Sequence, residues 1–233
     1  MDNSAKFEKR DFVSGLFLSK VLAKPKDLVP YVERHTQFAA RIIAWSEKAR
    51  ADELIEVPAE ILREYFTETQ YIELLHEWLM GAGVTDAGSE HASFAIVRLR
   101  QQDPVRFQDK WGSSVAFSIS RVAARRGSFE PMEIRYLYEV GHYARPAIDR
   151  LAKFVLTQLE SPGELLNSVT FTYKRNQQSF RPLPQALEVL GRFPAEVRFM
   201  KPAVEAAKAR VARDNPQNDL YAEALARFLK AIE

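Results

Sequence analysis

"EPMEIRYLYEVGHYARPAIDRLAKFVLTQLE", residues 130–160, decides the fold class. Its apolar residues Leu137, Val140, Ala144, Ile148, Leu151, Val155 and Leu159 recur at spacings of three and four. That period draws one apolar stripe along a helix and leaves the charged residues between for water. Pro146 falls inside the run. It lacks a backbone N–H and crowds the preceding turn, so a kink or split is expected there.

The same period extends outward on both sides. "KDLVPYVERHTQFAARIIAWSEKAR" (26–50) aligns Leu28, Tyr31, Val32, His35, Phe38, Ala39, Ile42 and Ile43. "VPAEILREYF" (57–66) opens on Pro58, a good first helical position. "TETQYIELLHEWLMGAG" (67–83) has Thr67 and Gln70 in capping-box spacing and closes on Gly81 and Gly83. "SEHASFAIVRLRQQ" (89–102) reads as helix. "DPVRFQDKW" (103–111) predicts another, with Asp103 as its N-cap. "SSVAFSISRVAARRG" (113–127) carries Val115, Ile119 and Val122 on one side.

Beyond Glu160 the texture changes, and half of the 12 prolines lie in the last 73 residues. "SVTFTYKR" (168–175) alternates Val169, Phe171 and Tyr173, as a strand does. "NQQSFRP" (176–182) reads as an exposed connection. "FPAEVRFMKPAVEAAKARVAR" (193–213) is helical with a break at Pro202. "NDLYAEALARFLKAIE" (218–233) is a terminal helix with Leu220, Leu225, Phe228, Leu229 and Ile232. The expected fold is mainly α, a bundle-like orthogonal array of helices with at most a short strand or hairpin near 168–175. The expected organisation is a helical domain over 1–160 and a Pro-rich helical region over 161–233, either separate or packed on the first. Ile42, Leu75, Leu137, Leu151 and Phe228 sit central to their stripes and are the expected core.

Composition excludes several classes of chemistry. With 233 residues, 46% hydrophobic and 27% charged, the chain has the make-up of a globular protein. It has no cysteine, which removes disulfides, thiolate metal sites, iron–sulfur clusters and cysteine nucleophiles. A cytoplasmic location fits that composition. The start, "MDNSAKFEKRDFVSGLFLSK", is too interrupted by charge for a secretory leader, and no apolar run is long enough to span a membrane. Phosphate-binding loops, dinucleotide-binding glycine motifs, serine nucleophile elbows and His-Glu-x-x-His are all absent. No cofactor is expected.

"ELLH" (73–76) and "EVGH" (139–142) repeat one spacing, Glu73 with His76 and Glu139 with His142. On this point the chain resembles the ferritin-like carboxylate proteins, which imply a two-metal site inside a helical bundle. Helical geometry argues the other way. Both pairs fall opposite or beside the apolar arcs of their helices, so they are expected to face water, Glu139 paired with Arg135. Residues 38–84, chiefly "VPAEILREYFTETQYIELLHEWLMGAGV" (57–84), also resemble the carboxymuconolactone decarboxylase helical unit, the quoted stretch its later helices. Peroxidatic members of that family use a Cys-x-x-Cys pair, for which this chain has no cysteine, and no activity is carried over.

Charge is segregated along the chain. Residues 47–90 hold 11 acidic residues against three basic, and 94–126 hold seven basic against two acidic. Residues 170–213 hold nine basic against three acidic. Such blocks steer charged partners. Arg121 and Arg125 lie one turn apart, away from the apolar stripe. Arg125 and Arg126, before Gly127, also suit a helix C-terminus. "FTYKRNQQSFRP" interleaves Tyr173 and Phe180 with Lys174, Arg175 and Arg181, aromatic faces for bases beside cations for phosphates. The expected function is therefore a helical binding or adaptor protein without its own catalytic centre. Arg121, Arg125, Arg126, Tyr173, Lys174, Arg175, Phe180 and Arg181 would engage a protein or a nucleic acid. The alternative is a helical metal-dependent enzyme using Glu73, His76, Glu139 and His142.

Overall fold

The computed structural model describes residues 68–81, 86–173, 176–214 and 219–233. The expected helix over 26–50, with His35 and Ile42, lies outside them. The described architecture is mainly α, with a single two-stranded hairpin. No described helix is long and apolar enough to cross a membrane. The chain falls into two compact units divided between Ser118 and Ile119, so the change of texture at residue 161 lies within the second.

In the first unit, α1 (Glu68–Met80) packs on α2 (Asp86–Gln102), and α3 (Asp109–Arg126) begins. Ile72, Leu75 and Leu79 of α1 and Ala92, Ile96 and Leu99 of α2 are buried on their three–four spacing. Trp111 of α3 is buried with Phe107 edge-on to it, ring centroids 6.0 Å apart. The Ser89 and Ser118 hydroxyls join α2 to α3 at 2.9 Å, partners for groups that burial would otherwise leave unsatisfied. Asp103 caps, but not a helix. Its carboxylate accepts the Arg106 N–H at 3.2 Å across a turn at 104–106, and α3 starts only at Asp109, after the Phe107 side chain has entered the core.

The second unit takes up the rest of α3. It continues through α4 (Pro131–Val140), a 3-10 segment (Gly141–Ala147) and α5 (Ile148–Gln158). The long stripe is real: all seven of its residues are buried, Leu159 the most exposed at 4%. The break in its backbone comes earlier than Pro146. It starts at Gly141, whose φ of 67° is readily reached only without a side chain, and runs as 3-10 helix through Pro146.

A 3-10 turn (Gly163–Leu166) leads into β1 (Val169–Tyr173), paired antiparallel with β2 (Asn176–Phe180), Thr170 opposite Ser179. The second strand corrects the reading of 176–180 as a connection. Gln177, Gln178 and Ser179 are all exposed, so its sequence carries no apolar alternation; the ladder to β1 holds it. Next comes α6 (Pro182–Gly191), a helix the period gave no sign of. It packs against α4, α5 and α9, and Leu183, Ala186, Leu187, Val189 and Leu190 are at most 1% exposed. Glu188 alone marks its outer face, and ten residues opening on two prolines are too short a run for the helical period to declare itself. The short α7 (Pro194–Val197) and one 3-10 turn precede α8 (Lys201–Asp214), so the break falls just before Pro202. On α9 (Asp219–Ala231) the buried stripe is Tyr221, Ala224, Leu225 and Phe228, continuing to Ile232; Leu220 is 49% exposed.

Candidate functional site

The cationic end of α3 is built by local chemistry. Gly127, at φ 84°, ends the helix and donates its N–H to the Ala123 carbonyl at 2.8 Å. Ser128 and Phe129 carry the chain to Glu130, the extended N-cap of α4, with Pro131 in the first turn. The Glu133 carboxylate turns back to accept the Glu130 N–H at 2.8 Å. Arg126 closes this corner: it donates to Glu133 at 2.5 Å and to the Ser128 carbonyl at 3.1 Å, with its Nε 3.4 Å from Glu130. Glu133 is 7% exposed. Burial raises its pKa, against the lowering effects of the Glu130 N–H and the Arg126 guanidinium.

Beside this corner lies an open cleft of about 270 Å³ within the second unit. Ala123, Gly127, Ser128 and Phe129 form one wall, and the outward face of α5 forms the other. The Phe154 ring, half-buried, leans on buried Phe129 with centroids 5.4 Å apart, giving an apolar floor. Asp149 and Lys153, one turn apart, pair at 2.8 Å at the rim. Arg150 lines the cleft, is exposed and holds no ion pair with a described residue. The Thr157 hydroxyl donates to the Phe154 carbonyl at 2.7 Å. The cleft thus offers cations, a carboxylate and a hydrophobic surface within one concavity. Its α5 residues went unread as a site because a charged face opposite an apolar stripe is what any surface helix shows; concavity has no sequence period.

The expected binding residues are dispersed. Arg121 is half-buried with its Nε enclosed, whereas Arg125 is exposed. Arg126 serves the α3–α4 corner. Arg181 is half-buried at the N-cap of α6. Phe180, expected to stack on bases, is 8% exposed, with the Arg135 guanidinium 6.0 Å from its ring. Tyr173 ends β1 opposite Asn176, and Lys174 and Arg175 lie outside the described residues. No surface row of aromatics alternating with cations is formed by the described members of this set.

The two Glu-x-x-His pairs also resolve differently from each other. Glu73 pairs with Lys110 of α3 at 2.7 Å. His76 is half-buried rather than solvent-facing. Burial lowers its pKa, with Glu73 opposing and Lys110 adding to the effect. Glu139 pairs with Arg135 as the spacing predicts, though both are mostly buried. His142 is exposed against Tyr143, and the Gly141 break separates it from the helix that carries Glu139. Among the described residues no three His, Asp or Glu side chains gather where they could hold a metal ion.

No family model, curated protein or solved structure matches this chain, so the local likenesses to ferritin-like and carboxymuconolactone decarboxylase helices assign it to neither family.

Proposed function

We propose that the protein acts by binding, engaging an acidic protein partner through basic residues of its second unit, and that it does so in the cytoplasm. The observation that carries this reading is the cleft, where Arg150 and Lys153 stand over an aromatic floor. The charge of the unit supports it: residues 119–233 hold 18 basic against 13 acidic residues. A field of one sign draws in a partner of the other, and a concave surface that is part polar and part apolar then holds it. The burial of Phe180 weighs against nucleic acid, because the ring intended for stacking is covered.

Affinity capture tests the proposal. Immobilised wild-type chain and an Arg125→Glu/Arg150→Glu variant are exposed to lysate of the native host, with and without nuclease. The expected result is a captured acidic protein that survives nuclease, is released by salt and is lost with the variant. Salt screens such contacts because the Debye length falls to about 3 Å at 1 M. Capture of nucleic acid alone, or capture indifferent to both salt and the variant, contradicts the reading.

A further inference from the structure

We infer that the cleft between the end of α3 and α5 is a docking site for a short acidic peptide segment bearing one apolar side chain, an inference that rests on the protein-binding reading above. Size sets the first limit. At about 270 Å³ the open cleft is at the small end of ligand sites, roughly 300–1,000 Å³, and has room for one or two side chains.

The signs of its walls select the ligand class. Arg150 supplies donors for a carboxylate, and Lys153, already paired with Asp149, keeps further N–H groups for one. Asp149 is an acceptor, and α3 ends beside it, where the final carbonyls of a helix lack partners within the helix and its dipole is negative. A peptide satisfies both walls, since its N–H groups meet acceptors while its acidic side chains meet the cations. A phosphate backbone brings acceptors only, with no N–H groups for Asp149 and the helix end. Phe154 and Ala123 provide apolar surface for one aliphatic side chain. At Gly127 the wall has no side chain, and a Cβ placed there would meet nothing within 4 Å, so a peptide backbone can lie against it.

The test measures fluorescence anisotropy on the full chain with three probes: a labelled peptide with one leucine between glutamates, its glutamine counterpart, and a single-stranded oligonucleotide of matching charge. The glutamate peptide is expected to bind and to weaken with salt, with the glutamine peptide about tenfold weaker or worse. Arg150→Ala is expected to weaken the glutamate peptide about tenfold. Thr157→Trp, placing a ring across the cleft from an exposed position, is expected to abolish binding while circular dichroism keeps its helical signal. No binding of the glutamate peptide, equal binding of the glutamine peptide, stronger binding of the oligonucleotide, or indifference to both substitutions overturns the inference. If both variants still capture an acidic protein from lysate, the cleft falls and binding is left to rest on the charge of the unit alone. If the wild type captures none, both fall.

Discussion

Helices α5 and α6 pack against each other and divide the work of the second unit. α5 buries Ile148, Leu151, Ala152 and Val155 and turns Asp149, Arg150, Lys153 and Thr157 outward into the cleft. α6 buries seven of its ten residues and gives almost nothing to the surface. The amphipathic helix can change its outer face without disturbing the interior. The other cannot change its buried positions without being felt by α4, α5 and α9 together. Function is to be sought on the first and stability on the second.

Substitutions can break that contrast. The largest effect is expected on α6: Leu190, fully buried, should cost about 2–5 kcal/mol when replaced by Ala, through lost transfer energy and a residual cavity. A urea midpoint that does not move would show that α6 is not the centre of the unit.

Next comes the α3–α4 corner, which lies between the two extremes. Arg126→Ala removes charged hydrogen bonds and should cost about 1.5–3 kcal/mol. It also removes an influence that lowers the Glu133 pKa, so that carboxyl should titrate higher still, as carbon-detected NMR would show. The pH dependence follows from the raised native value. A carboxyl that binds its proton more tightly in the folded state favours folding when protonated, and that contribution is lost as pH rises through the folded value. The stability of wild type relative to Glu133→Gln should therefore fall as pH climbs through and above the ordinary carboxylate range. A difference that grows with pH would reverse the assignment.

Tyr221 on α9 offers a smaller effect. Burial pushes its hydroxyl up to about 12, and that oxygen has no hydrogen-bond partner among the described residues. Tyr221→Phe should change neutral-pH stability by no more than about 0.5 kcal/mol. Above pH ~10 the variant should outlast wild type, because only the unfolded wild-type tyrosine ionises readily there. Parallel urea titrations at neutral and alkaline pH read both. The smallest effect is expected from Arg150→Ala on the outer face of α5, within about 0.5 kcal/mol. A large loss would make Arg150 a structural residue and weaken the cleft as a binding site.

What could be read from sequence follows the same division. α1, α2, α5 and α9 were legible because each buries one face, and the stripe of Leu137 to Leu159 held even across the Gly141 break. α6 was hidden by its brevity, and the reading of 176–182 as a connection ran into its first turn, where Pro182 is tolerated. β2 was hidden for a different reason: three exposed polar residues carry no pattern, and only the partner strand makes them a strand. At the candidate site, Arg125 and Arg126 were visible as a cationic helix end, but their separate roles were not. Arg126 is drawn inward by Glu133, seven residues on, while Arg125 stays in solvent. Arg150 and Lys153 were legible only as a charged face.

The position of α6 also bears on the order in which the chain can be made and folded. Its contacts to α4 and α5 become available as soon as residues 182–191 are synthesised, but those to α9 wait for residues 219–231. A nascent chain halted between them holds an apolar helix with one side uncovered. That interval is when the protein is most open to misassociation and most in need of a chaperone. Shortening the chain before residue 219 should make the state permanent, yielding aggregates rather than a smaller folded protein.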